Sequence, residues 1–433
     1  LCHDDVIGTR KVSFIYYLSD SSPEWSAAEG GALELYPREA AGSSIPASTP
    51  SKELLPVGDA LAFFIVEPGV SFHSVREVLG ARARVSIQGW LHAPSIEQTA
   101  SYSARDQATL QQLIGARKLS AGKEVEIPRA PQQMDDAPSG GLSAEEKARL
   151  SAFIAPEYLE EAHLKAIAAQ FARESEVVLS SFLREEYVKP ITASIEAADA
   201  MDGFGASKDS KPDYAAGVNA DWRVMGPPHL RRHLQLRSSK EVQDVNQQTD
   251  LAKHLRGLSH KIFADTAFRK WLFAATQVPQ QDSGELTVRR FRPGMDYTVA
   301  VLPDRQSSTD ASLDVVFTLL GDTSAEAIEK WQSEEVGGFE SYIAADEEEE
   351  TAQVQETYRA DDEGPLVNLT AAPNTLCIVL RDSQTLRFTK YVKSTAPSSR
   401  VDVSVSYATE LPGSDDSESE PGQDAEPQLE EVD

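Results

Sequence analysis

Cysteine is nearly missing from this chain, with Cys2 and Cys377 the only two in 433 residues. Two thiols so far apart suggest no disulfide framework and carry no zinc-ligand spacing, so a reducing compartment is the expectation. No stretch approaches the roughly 20 continuous apolar residues of a membrane helix. The chain opens on Leu1 with no charged-then-apolar leader, and a natural start further upstream is expected. Basic residues are scarce: 41 Lys and Arg against 69 Asp and Glu leave a net charge of −28. That balance disfavours a broad basic face for duplex nucleic acid. The excess is concentrated, because nine acids against Arg359 in 346–363 and ten acids without a base in 410–433 supply 18 of the 28 charges. A solvated loop and a disordered tail are the plain reading, and attraction of a basic partner is the sharper one.

Against these absences stands a metal-binding pattern in residues 1–92. His3 and Asp5 form an H-x-D pair, followed by the apolar run Val12 to Leu18. Residues i and i+2 of an extended segment point to the same side, so both can approach one ion. His73, arriving in Val70-Ser71-Phe72-His73, would complete a face of two imidazoles and one carboxylate. Such a face leaves half an octahedron open, as a non-haem Fe(II) oxygenase requires for a chelating co-substrate and dioxygen. Arg84, on the strand after His73, offers a guanidinium able to grip a carboxylate in bidentate fashion. Each part alone is common, since H-x-D tripeptides arise by chance and a lone histidine between apolar residues is more often a core residue. The order H-x-D, Gly-Gly hairpin, F-H, R-x-S is much more specific.

The segments LCHDD, FIYYL, GGALELY, VSFHSV and RVSIQGWLH closely resemble the fungal Ofd/Tpa prolyl hydroxylases and their animal counterpart. A looser likeness runs to about residue 408. The resemblance implies a 2-oxoglutarate- and iron-dependent oxygenase that hydroxylates a proline in a decoding-centre protein of the small ribosomal subunit, with an effect on translation termination. It implies Fe(II) held by His3, Asp5 and His73, and the distal carboxylate of 2-oxoglutarate held by Arg84 with help from the Tyr17 phenol. Read from the residues alone, a half-buried strand tyrosine accounts for Tyr17 nearly as well. Ascorbate is the expected reductant, cytoplasm and nucleus are the expected location, and termination factors or a transcription-factor regulator are further expected partners.

The expected fold is mainly β with helices (α+β), in two double-stranded β-helix domains of jelly-roll or cupin-like type. Residues 1–95 would form the catalytic domain without its earliest strands, 96–142 a linker, 143–410 helices plus a second, non-catalytic domain, and 411–433 an acidic tail. Gly30 to Tyr36 alternates apolar and polar after a glycine pair, which predicts a strand entered through a tight turn. Leu61 to Val66 reads as a buried strand. Ser143 and Glu146 have capping-box spacing, and an apolar stripe then runs through Leu150, Ile154, Leu164, Ile167, Phe171, Val178 and Phe182, with helix ending near Ala200. Further helices are expected around Gln248–Leu258 and Asp265–Ala275.

The later segments repeat the first ones in degraded form. Gly337 to Tyr342 echoes Gly30 to Tyr36, Cys377 to Leu380 echoes Leu61 to Val66, and Arg400-Val401-Asp402-Val403 echoes Arg84-Val85-Ser86-Ile87. Arg387-Phe388-Thr389 echoes Ser71-Phe72-His73, putting Thr389 in place of His73, while Val301-Leu302-Pro303 carries neither His nor Asp. A second copy without ligands would be structural or substrate-recruiting. His92 reads as a surface or packing residue, His229 and His233 lack the Glu of H-E-x-x-H, and the basic run Arg231–Arg237 offers a weaker idea of contact with RNA or an acidic surface. Two other readings stand beside the hydroxylase. One is an oxygen-responsive regulator controlling degradation of a sterol-response transcription factor. The other is a zinc-binding cupin-like module, which would have no need of Arg84.

Overall fold

The computed structural model describes residues 1–20, 22–99, 141–204, 213–239, 241–242, 248–281, 284–300, 311–344 and 365–410. The linker core, the acidic loop, the acidic tail and Val301 to Pro303 lie outside the described residues. Among the described residues the chain is mainly β, with its α-helices from Ala144 onward.

In the N-terminal half, β1 (Arg10–Tyr17) buries Ser13, Ile15 and Tyr17 at alternate positions, and Arg10 beyond a register shift between Arg10 and Val12. It is the centre of an antiparallel sheet between β4 (Leu61–Ile65) and β6 (Ser86–His92). A second sheet has the order β3-β2-β5, from β2 (Leu33–Leu35), β3 (Lys52–Leu54) and β5 (His73–Val75). Ile15, Tyr17 and Leu33 form the buried core of this half, with Leu35, Leu54, Ala62 and Phe64 packed against them. The entry to β2 needs its glycines. Gly30 sits at φ +68°, and a Cβ there would lie 2.0 Å from the Glu77 carbonyl oxygen.

In the C-terminal half, β7 (Glu176–Leu179), β8 (Trp222–Met225), β9 (Arg231–Leu236), β10 (Glu285–Phe291), β11 (Tyr297–Thr298), β12 (Ala311–Leu320), β15 (Thr375–Asp382) and β17 (Arg400–Thr409) form one large sheet. Its order is β11-β9-β10-β17-β12-β15-β7, with β8 paired to β9. A small sheet, β14-β13-β16, comes from β13 (Glu340–Ala344), β14 (Val367–Leu369) and β16 (Thr385–Thr389). Helices Ala144–Leu150, Glu161–Glu174, Glu185–Met201, Asp250–Leu258 and Thr266–Thr276 contribute to the largest core, where Phe182, Trp222, Phe268, Trp271 and Phe317 are fully or almost fully buried. Burying each such side chain contributes about 1.5–3 kcal/mol.

Ser143 and Glu146 close the expected capping box, with bonds of 3.2 and 2.8 Å. The apolar stripe does not stay helical, however. Ser175 takes a left-handed conformation that ends the helix at Glu174, and Val177 to Leu179 pair with β15 instead. Apolar spacing alone cannot tell a strand recruited to a sheet edge from another helical turn.

The duplication is visible in the pairing. β1 pairs with β4 and β6 as β12 pairs with β15 and β17, and β2 pairs with β3 and β5 as β13 pairs with β14 and β16. Register corrects one expectation. His73 lies opposite Leu35, and aligning the two Gly-Gly pairs places Tyr342 at the position of Leu35. The residue opposite Tyr342 is Arg387, so Arg387, not Thr389, holds the place of His73.

Candidate metal centre and co-substrate site

The metal site is assembled by pairing the first residues of the chain with β5. The His3 N–H donates to the His73 carbonyl at 3.0 Å, and the His73 N–H returns a bond to His3 at 2.8 Å. The two rings lie 4.3 Å apart between centroids. Asp5 reaches the same point from a left-handed backbone, φ +61°, which is uncommon outside glycine and often found at functional sites. Its Oδ1 lies 3.4 Å from His3 Nε2 and its Oδ2 lies 3.4 Å from His73 Nε2. Ligand atoms of the three residues lie within 4.8 Å of one another, and no other such group occurs among the described residues.

The hydrogen bonds select the tautomers. His3 Nδ1 donates to the Leu1 carbonyl at 3.0 Å, and His73 Nδ1 donates to the Ser71 carbonyl at 2.8 Å. Both Nε2 lone pairs therefore face the centre, as ligation requires. Burial and the neighbouring His3 hold His73 below its ordinary pKa, which keeps it neutral. Burial is the largest influence on His3 and works against its proton, but the bonds to Asp5 and to the Leu1 carbonyl together with the Asp5 charge outweigh it and raise its pKa. For Asp5, burial favours the acid form; the bond from His3 and the electrostatic pull of the two imidazoles outweigh it and hold the carboxylate ionised. The donor set fits a divalent metal, which on binding would displace the proton that Asp5 favours on His3 Nε2.

The middle residue, Asp4, ties the ligand loop down. Its carboxylate accepts from the Gly69 N–H at 3.3 Å, and its carbonyl accepts from Ser71 Oγ at 2.7 Å. Arg10 and Trp90 form a further pair that sequence reasoning did not find. The Arg10 guanidinium lies 3.7 Å over the Trp90 ring, with Nη1 3.9 Å from Asp5 Oδ1. Position on β1 gave no sign of this contact, because it depends on the register between β1 and β6.

Tyr17 and Arg84 come together as expected, with the guanidinium 5.2 Å from the centre of the phenol ring. Arg84 Nε donates to the Gly31 carbonyl at 2.8 Å and Nη1 lies 3.4 Å from Ser86 Oγ. Arg84 Nη2 and the Tyr17 hydroxyl are buried without a hydrogen-bond partner. Two adjacent orphaned donors in a protein interior are costly unless an acceptor arrives. A carboxylate satisfies both.

The corresponding place in the C-terminal half is filled. Arg400 donates to the Gly338 carbonyl, as Arg84 does to Gly31, but its guanidinium also meets Asp402 at 3.3 Å and Glu340 at 3.7 Å. Arg387 pairs with Glu340 at 2.8 Å and with Asp314 at 3.4 Å. Here internal carboxylates occupy the cations. The run Arg231–Arg237 is likewise turned inward at its start: Arg232 is buried, stacks 4.1 Å from the Tyr214 ring centre and donates to Tyr36 at 3.0 Å. His92 sits on the exposed end of β6, bonded to Thr9 Oγ1 at 2.9 Å.

Two histidines and one carboxylate on a mainly β frame, with an orphaned Arg–Tyr pair in the same half of the chain, are the donor set of a mononuclear non-haem oxygenase site. Comparison with known proteins agrees. Residues 1–92 match the 2OG-Fe(II) oxygenase superfamily, and residues 145–415 match the family described as oxoglutarate and iron-dependent oxygenase degradation C-term. The prolyl 3,4-dihydroxylase OGFOD1 of Ostreococcus tauri is 33% identical over 410 residues, covering 94% of this chain and 75% of that protein. The prolyl 3-hydroxylase OGFOD1 of Mus musculus is 25% identical, covering 90% of this chain and 67% of its own length. The prolyl 3-hydroxylase sudestada1 of Drosophila melanogaster is 26% identical, with 92% and 63% covered. The chain thus spans between 63% and 75% of the length of these three relatives. It belongs to the family of 2-oxoglutarate- and Fe(II)-dependent oxygenases.

Proposed function

We propose that this protein hydroxylates a proline, at C3 or at C3 and C4, in a decoding-centre protein of the small ribosomal subunit. The observation that carries the site reading is that the same half of the chain holds both the ligand triad and the orphaned donors of Arg84 and Tyr17. When bound, Fe(II) and 2-oxoglutarate supply the oxidation, by which dioxygen gives one oxygen atom to the prolyl C–H and the other to succinate, with loss of carbon dioxide. His3, Asp5 and His73 would hold the metal. Arg84 and Tyr17 orient the co-substrate by its distal carboxylate, and Asp4 with Arg10 keeps Asp5 in place. Names of the relatives support the prolyl substrate. Likeness of motif supports the ribosomal one and a role in termination.

The duplicated pairing supports two double-stranded β-helix domains, the first catalytic and the second not. In this reading ascorbate serves as reductant and the protein works in cytoplasm and nucleus. A second, compatible role is control of the degradation of a transcription factor through residues 143–410; the family description matched over 145–415 favours it.

The test is succinate release from the Fe(II)-loaded protein with and without a proline-containing peptide of the decoding-centre protein, with the peptide weighed afterwards. Peptide-dependent succinate and a mass gain of one or two oxygens are expected. Metal and co-substrate binding without peptide-dependent turnover would overturn this substrate.

A further inference from the structure

The least explained buried charge near the site is Glu34, on β2 and 1% exposed. It faces away from the metal, yet four groups converge on it. Ser74 Oγ, from the residue after His73, donates to Glu34 Oε2 at 2.8 Å. The Tyr36 hydroxyl donates at 3.0 Å, and Arg76 Nη1 stands 3.7 Å away. From the C-terminal half, the Tyr214 hydroxyl reaches both carboxylate oxygens, at 2.7 and 2.9 Å. Arg232 completes the knot, stacked on Tyr214 and donating to Tyr36.

We infer that Tyr214 is a positioning residue for the metal ligand His73, acting across the junction of the two halves through Glu34 and Ser74. β5 is only three residues long, so its placement depends on what its two faces touch. One face presents His73 to the metal; the next residue, Ser74, is fixed by Glu34. A buried carboxylate missing a donor shifts to find another, because an unsatisfied charge costs more than a displaced backbone. Loss of the Tyr214 hydroxyl therefore moves Glu34, and Ser74 and His73 move with it. Outer-layer groups of this kind orient ligands that they do not touch. The C-terminal half thereby becomes part of the metal site without supplying a ligand.

This inference rests on reading His3, Asp5 and His73 as metal ligands, and the experiment separates the two. Fe(II) affinity is measured anaerobically on the parent chain, Tyr214→Phe, and Tyr391→Phe as control. Tyr391 also bonds across the junction, to Glu77 at 3.2 Å, and makes no hydrogen bond to Glu34 among the described residues. The parent is expected to bind Fe(II), and failure to do so sinks the ligand reading itself. Tyr214→Phe is expected to weaken Fe(II) binding about tenfold, at the low end for outer-layer partners, with KM for 2-oxoglutarate unchanged. Tyr391→Phe is expected to bind Fe(II) like the parent. Unaltered affinity in Tyr214→Phe, or equal loss in Tyr391→Phe, would overturn the inference. Should Tyr214→Phe fail to fold, Ser74→Ala, which removes only the Oγ link, takes its place with the same two outcomes.

Discussion

Arg84 and Arg400 occupy the same place in the two halves of the chain: each donates to the carbonyl of the second glycine of a Gly-Gly pair, Gly31 and Gly338. They differ in what completes them. Each keeps one buried nitrogen without a hydrogen-bond partner, Nη2 of Arg84 and Nε of Arg400, but Arg400 is ion-paired with Asp402 and Glu340, whereas no carboxylate among the described residues pairs with Arg84. One guanidinium is a structural strut and the other is open to a ligand.

Arg84→Lys removes the planar fork while keeping the charge. With a charged hydrogen bond contributing about 1.5–3 kcal/mol, KM for 2-oxoglutarate should rise about 10- to 100-fold, and Fe(II) affinity without co-substrate should stay near that of the parent. Steady-state succinate assays over a range of co-substrate check this.

Removing a counter-charge from the second half has the opposite character. Glu340 is buried among Arg289 at 3.0 Å, Arg387 at 2.8 Å and Arg400 at 3.7 Å, and these cations hold it ionised despite its burial. Glu340→Ala leaves three buried cations short of a partner and should cost about 3–5 kcal/mol. Urea unfolding reads the loss, and a small or zero change would show that the network relaxes.

Gly30→Ala places a Cβ against the Glu77 carbonyl in a left-handed backbone. Strain of this kind costs about 1–3 kcal/mol before the clash is added, so a lower melting temperature is expected. An unchanged melting temperature would contradict the tight entry to β2.

Acid should weaken the fold before its carboxylates titrate. Burial pushes His229 down to about 4, and burial together with Arg289, Arg231 and Arg292 pushes His233 well below its ordinary value. Both are neutral when folded, while the unfolded chain takes up protons near pH 6.5. Their contribution is complete above about pH 6.5 and is lost as pH falls toward the folded values. Urea midpoints between pH 8 and 5 should fall, and less steeply in His229→Gln.

Much of the site was legible because its residues lie in short, ordered motifs. His3, Asp5 and His73 meet as their spacing and order suggested, and Arg84 finds Tyr17. What escaped was set by register and by contacts distant in sequence. Thr389 and Arg387 differ by two positions, and only the pairing of β13 with β16 shows which one faces Tyr342. Arg10 over Trp90 spans β1 and β6. Tyr214 meets Glu34 across 180 residues, and no local pattern marks either as a partner. β7 was read as helix because its apolar residues fit both periods, and the edge of β15 decided the matter.

The most direct test of the account is the stoichiometry of Fe(II) binding, measured anaerobically on the parent chain and on Asp5→Ala. The account expects one Fe(II) per chain, lost in Asp5→Ala and insensitive to Arg387→Met in any chain that still folds. Two ions per chain, or undiminished binding in Asp5→Ala, would contradict it.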